Sequence, residues 1–141
     1  MTRTSFTLAV ALGATLVLSP SLGEAQLPRD PAERARVVAQ IMEANARTLT
    51  LFDRQGRQVG VVGQRDLYNQ PVFSPDATRV AVVKPDLENE SNDLWVIDNA
   101  SGKTIRLTSS KTRENAGSPA WSPDGKQIAY VALRDGYFGL Y

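Results

Sequence analysis

"FSPDATRVAVV" occupies residues 73–83, and "WSPDGKQIAYV" occupies residues 121–131. Each stretch runs in the same order: an aromatic residue, a Ser-Pro-Asp turn, then an apolar-rich run. Pro presets φ at about −65° in the second turn position, and Asp in the third accepts bonds from nearby backbone N–H groups. Gly in the fourth tolerates positive φ. The first copy has Ala77 where the second has Gly125, so its turn is expected to be strained or of another type. Two short β-rich runs flanking such a turn read as a hairpin. Phe73, Ser74, Pro75, Asp76 and Trp121, Ser122, Pro123, Asp124, Gly125 are therefore a structural repeat, and a repeated local turn explains both serines and both aspartates without catalysis. The ring before each turn should anchor its strand between neighbouring sheets, because a large buried ring contributes most per position.

The repetition extends beyond the turn. Short β-rich runs at 48–52, 58–62, 71–73, 79–83, 94–97, 104–107, 119–121, 127–132 and 137–141 alternate with turn signals, which reads as antiparallel all-β structure. Asp53 recurs at Asp98 after 45 residues, Phe73 at Trp121 after 48, and Leu94 at Leu140 after 46. A period in the mid-forties with about four strands per unit is the spacing of a β-propeller blade. Lettering the strands a to d, the SPDA and SPDG turns join a to b. The chain then holds c and d of one blade, all of a second, and a, b and c of a third. Propellers close with about four to eight blades. The expectation is thus an incomplete propeller, the N-terminal part of a longer one, with open edges that favour self-association.

"PVFSPDATRVAVV…DLWVIDNASGKTIRLTSS" followed by "SPAWSPDGKQIAYV…GYFGLY" resembles the WD40-like propeller repeat of TolB-type periplasmic proteins. The same repeat occurs in the propellers of prolyl-oligopeptidase and dipeptidyl-peptidase families. The resemblance covers residues 48–141 and implies a protein-binding or scaffolding module. TolB-type proteins carry an α/β domain before the propeller, whereas only one helix precedes the strands here.

Residues 1–25 read as an export signal. Arg3 precedes an apolar run from Phe6 to Leu18, and Gly23 and Ala25 suit cleavage after Ala25. The run is too short to span a membrane as a helix. A periplasmic or secreted location follows. Residues 26–47 form a linker and an amphipathic helix. Asp30 serves as N-cap, Pro31 stands at the first helical position, and Glu33 falls at the third. Val37, Val38, Ile41 and Met42 make one apolar stripe.

The 141 residues include no His and no Cys, with 16 Lys plus Arg against 15 Asp plus Glu. Within this chain a Ser-His-Asp triad, a Cys-His pair and a His or Cys zinc site are excluded. The balanced charge argues against nucleic acid as a partner. No cofactor is expected. The d–a and b–c connections look longer than the a–b and c–d turns, which marks their face for binding. Its candidate residues are Arg65, Tyr68, Glu88, Asn92, Lys111 and Arg113. Asp86, Glu88 and Glu90 alternate like early calcium ligands. Yet the sixth position lacks Gly, and Ile97 stands where the bidentate Glu belongs, so a solvated acidic loop fits better. Two functions from different classes follow. One is an exported, non-catalytic TolB-like module for protein or ligand binding. The other is the propeller part of a prolyl-oligopeptidase- or dipeptidyl-peptidase-type serine peptidase, with the catalytic domain outside this chain.

Overall fold

The computed structural model describes residues 27–109, 115–134 and 136–141. The export segment at 1–25, Lys111 and Arg113 lie outside the described residues. Among the described residues one helix, α1 (Pro31–Asn45), precedes nine strands: β1 (Arg47–Phe52), β2 (Gln58–Asp66), β3 (Asn69–Phe73), β4 (Arg79–Asp86), β5 (Ser91–Asp98), β6 (Thr104–Arg106), β7 (Gly117–Trp121), β8 (Ile128–Arg134) and β9 (Tyr137–Leu140). They form three antiparallel sheets, β1-β2, β3-β4-β5-β6 and β7-β8-β9. The structure is thus mostly β, with strands consecutive in sequence paired in space, as the turn chemistry demands.

Alternation along β4 and β5 shows how the sheets stack. Val80 and Val82 on β4 and Ile97 on β5 face the first sheet, where they bury Val62 and Tyr68 and pack on Leu49 and Leu51. Ala81, Val83, Leu94 and Val96 face the third sheet and pack on Trp121, Ile128 and Tyr130. The register places Val80 opposite Ile97 and Val83 opposite Leu94, so both strands present the same two faces. A strand buried on both faces reads as a continuous apolar run, and "VAVV" does. The outer sheets are covered on one face each. Phe52, Val59 and Val61 remain exposed on the first, and Phe138 and Leu140 on the third.

Both Ser-Pro-Asp turns close with the same bonds. Ser74 Oγ donates to Asp76 Oδ1 (2.5 Å) and accepts from Arg79 N–H (3.0 Å). Ser122 Oγ donates to Asp124 Oδ1 (2.6 Å) and accepts from Gln127 N–H (2.9 Å). Ala77 sits at φ 56° and Gly125 at φ 68°. The alanine therefore adopts the same left-handed turn at a steric cost, not a different one. The inter-sheet anchor holds for one aromatic only. Trp121 Nε1 donates to the Val72 carbonyl (3.0 Å) across to β3, and the Arg79 guanidinium lies 4.8 Å from its ring centre. Phe73 is 49 % exposed. Its ring would need a strand in the first sheet equivalent to β3, and that sheet has only β1 and β2 among the described residues.

The expected contrast in loop length fails at two of the connections, though 107–116 between β6 and β7 is ten residues long. β2 and β3 are separated only by Leu67 and Tyr68, and the β4–β5 turn is only Leu87–Glu90. Polar residues read as loop instead continue the ladder, pairing Lys84 with Asp93, Pro85 with Asn92 and Asp86 with Ser91. Backbone pairing carries the ladder through this polar run, while the charged side chains reach beyond it, Lys84 to Asp66 and both Asp86 and Asp93 to Arg106. Sequence equivalence also extends to a bulge in β3 and in β7. There Gln70 (φ 49°) and Ser118 (φ 51°), 48 residues apart, both break register.

Candidate functional site

Side chains that recur from sheet to sheet build the repeat, so residues without a counterpart are where specificity can reside. The densest group of these lies at one end of the central sheet, beneath α1. Asp93 is 1 % exposed. Its Oδ1 accepts from Thr108 Oγ1 (2.9 Å), its Oδ2 is bonded by Arg106 Nη2, and Thr108 Oγ1 accepts from the Leu94 N–H (2.9 Å). Arg106 also bonds Asp86 Oδ2 at 3.0 Å. Lys84 pairs with Asp66 at 2.5 Å and holds its ammonium 4.4 Å from the Trp95 ring centre. The Arg106 guanidinium lies 5.7 Å from the same ring. Two cations beside one indole, each also tied to carboxylates, make a rigid charged floor. Val38 and Met42 of α1 close it above, leaving a cleft of about 280 Å³. At the positions equivalent to Asp93 stand Thr48 in the first sheet and Gly139 in the third, so neither sheet repeats the network.

The helix that roofs the cleft is held at both ends. Asp30 Oδ1 accepts from the Glu33 N–H (2.8 Å) and caps the start, as its sequence predicts. At the other end Arg65, on β2, donates from Nε to the Ala46 carbonyl (3.0 Å) and from Nη2 to the Glu43 carbonyl (2.8 Å). A guanidinium is suited to the unpaired carbonyls of a helix C-terminus. Val37, Val38, Ile41 and Met42 are half-buried, and no helix residue is fully buried.

The remaining candidates fall in several places. Tyr68 is 4 % exposed, a member of the core between the first two sheets, and burial raises its phenol pKa. Asn92 stitches the central sheet to the third: its N–H donates to Asn115 Oδ1 (3.1 Å), and its carbonyl accepts from the Ala116 N–H (2.9 Å). Glu88 and Glu90 are exposed on the β4–β5 turn. Asp86 is committed to that turn, accepting from the Glu88 and Asn89 N–H groups (both 3.1 Å) and from Arg106. Among the described residues no three His, Cys, Asp or Glu side chains converge so as to hold a metal. Among the described residues, Glu88 alone of the binding candidates borders the cleft. Sequence reasoning missed Lys84, Asp93, Trp95 and Arg106. The signal was an acidic residue just before the apolar run 94–97, with Arg106 ending the next strand and Thr108 two residues beyond it.

No family model matches the chain. A curated relative, the uncharacterized peptidase YuxL of Bacillus subtilis (strain 168), is 31 % identical over 70 residues, covering 47 % of this chain. The match takes in 10 % of the relative, so the chain spans about a tenth of the length of the curated protein it resembles. Among the described residues no helix is long and apolar enough to cross a membrane.

Proposed function

We propose that this chain is part of an exported β-propeller that recognises other molecules and carries out no chemistry with its own side chains. The observation that supports this best is the stack of three successive antiparallel sheets of one strand pattern, with the central sheet buried on both faces. Repeat units bury their faces against neighbours in this way. The recognition surface is the cleft end of the central sheet, where α1, the β4–β5 turn and the non-repeating Lys84–Trp95–Arg106 group meet. Recognition there works by shape and by fixed charge. The chain has no His and no Cys, so acyl-transfer machinery of the Ser-His-Asp or Cys-His kind would have to come from elsewhere.

Two versions of this role differ in what accompanies the propeller. One is a free-standing TolB-like binding module. The other is the propeller of a serine peptidase, where it gates entry to a separate catalytic domain. The 31 % identity to a peptidase favours the second. Sequencing the gene on both sides of this segment separates them. A G-x-S-x-G motif followed by Asp and His supports the peptidase version, and further Ser-Pro-Asp repeats alone support the binding module. Hydrolysis of fluorogenic peptides by the purified chain alone, blocked by a serine-directed inhibitor, overturns both.

A further inference from the structure

We infer that α1 is a hinged lid over the cleft, lifting from its N-terminal half to admit a ligand to the Lys84–Trp95–Arg106 floor. The lid regulates the recognition surface proposed above and so rests on that reading. The bonds that β2 gives the helix fall on its last turn, where Arg65 donates to the Glu43 and Ala46 carbonyls. A planar guanidinium bonded to both fixes the angle at which the helix leaves the sheet. The cap at the start, between Asp30 and Glu33, lies within the segment itself. So does the bond from Arg34 Nε to the Pro28 carbonyl (3.0 Å). Residues 28–45 therefore move as one body. Ala46, extended at φ −63° and ψ 136°, is the single residue between the helix and β1. That position makes it the hinge.

Packing under the helix loosens away from that hinge. The space lined by Ile41 and Asn45 is about 210 Å³, and that under Val38 and Met42 about 280 Å³. Along residues 31–39 it widens to about 500 Å³. A further space of about 380 Å³ is lined by Leu27, Ile41 and Ser91. Leu87, on the β4–β5 turn, lines all four, a single prop with open space around it. An element locked in place fills such gaps, because protein interiors pack as densely as organic crystals. No α1 residue is fully buried. Ser91, which lines the space beside Ile41, buries its Oγ without a hydrogen-bond partner. A buried hydroxyl left unpaired destabilises the closed position, and a lifted helix relieves it by admitting water. The floor does not depend on the lid. Its bonds from Lys84 to Asp66 and from Arg106 to Asp86 and Asp93 join strand to strand. Lifting α1 breaks none of them.

Distances between paired spin labels on the full chain, measured by double electron–electron resonance, test this. The chain has no native Cys, so introduced cysteines are the only labelling sites. One label stands at Lys103 and the other at Ala35 or Ala44, all exposed positions. Along the helix Ala35 lies about 16 Å from the hinge and Ala44 about 3 Å. Ala35→Cys/Lys103→Cys is expected to give two distances, and Ala44→Cys/Lys103→Cys one. Adding Arg65→Gln frees the last turn and is expected to raise the longer Ala35 distance several-fold in population, with helical circular dichroism unchanged. A single Ala35 distance that Arg65→Gln does not move overturns the inference and makes α1 a fixed roof. A continuous spread of Ala35 distances with loss of helical circular dichroism also overturns it, because the helix then melts instead of swinging. If Arg65→Gln does not fold, the number of Ala35 distances with Arg65 in place decides. A fixed roof leaves the cleft standing as a recognition surface, and the flanking gene sequence tests the propeller reading separately.

Discussion

The central sheet shares its strand pattern with the two that flank it, yet equivalent positions stand in different environments. β5 buries Leu94 and Ile97 completely on opposite faces, while the counterparts Leu140 and Phe52 are mostly exposed. Equivalent apolar positions thus form a core on one sheet and a surface on the next. What differs is the neighbour, because a repeat unit cannot bury its own faces. The largest expected effects follow from this contrast. Leu94→Ala and Ile97→Ala should each cost about 2–5 kcal/mol, since each leaves a cavity between two sheets. Leu140→Ala and Phe52→Ala should each stay within about 0.5 kcal/mol for the monomer. Urea unfolding at high dilution measures all four. A loss for Leu140→Ala as large as that for Leu94→Ala would mean the third sheet's outer face is covered in the folded monomer.

A second contrast separates the residues that repeat from those that do not. Asp93, Arg106 and Thr108 form a closed network that neither flanking sheet copies. Asp93→Ala strands the Arg106 guanidinium beside a buried site. Removing one partner of a fully buried pair costs about 3–5 kcal/mol, but Arg106 is partly open to water and keeps Asp86, so about 2–3 kcal/mol is expected. Asp93→Asn retains an acceptor for Thr108 and should cost less. If Asp93→Ala costs no more than a surface substitution, the network contributes nothing and the cleft floor is not rigid.

The strand pattern was legible because turns carry their own chemistry. Asp53 with Gly56, Asp76 with Pro75, Asp98 with Gly102 and Asp124 with Gly125 each punctuate the chain by a local mechanism. The cleft was not legible, and the reason is specific. β4 and β5 continue through Lys84–Asp86 and Ser91–Asp93, where a charged and polar run imitates a solvated loop. Hydrophobic periodicity is silent where cross-strand ion pairs replace apolar contacts. Arg65 was misplaced for a related cause. A lone arginine near the end of a strand gives no hint that it will reach the last carbonyls of a helix some 20 residues earlier. Phe73 marks the opposite limit. Its local motif matches Trp121, but whether the ring is covered depends on a sheet the motif does not encode.

The two Ser-Pro-Asp turns allow a smaller comparison, with nearly every bond held constant. Ala77 and Gly125 occupy the same left-handed position. Ala77→Gly relieves the clash at some cost in unfolded-state entropy, for a net gain of about 1 kcal/mol. Gly125→Ala should lose a similar amount. A Cβ there would meet Arg79 Nη2 at 3.5 Å and Pro75 Cδ at 3.6 Å, ordinary contacts that add little. Thermal denaturation of the two variants is the measurement. Unequal and opposite shifts in melting temperature would show that Gly125 has a further role in holding Arg79, whose Nη2 donates to the Gly125 carbonyl at 2.8 Å.

The finest distinction between the turns is in their acids. The Ser74 hydroxyl and the Thr78 N–H hold the Asp76 carboxylate down to about 2, with Arg79 adding to the effect. Asp124 is lowered by the Ser122 hydroxyl and the Lys126 N–H, but it has Gln127 where Asp76 has Arg79. A carboxylate lowered on folding binds its proton more readily in the unfolded chain. Its contribution is therefore fully present above the ordinary value of 3.8 and is lost as pH falls through the folded value, near 2 for Asp76. Asp76→Asn keeps an acceptor oxygen for Ser74 and Thr78 but does not titrate. The decline of the urea midpoint between these two pH values should flatten more in Asp76→Asn than in Asp124→Asn. Equal flattening would show that Arg79 gives Asp76 nothing beyond the hydrogen bonds both turns share, and that its charge is spent on Trp121 and the Gly125 carbonyl across the sheet boundary.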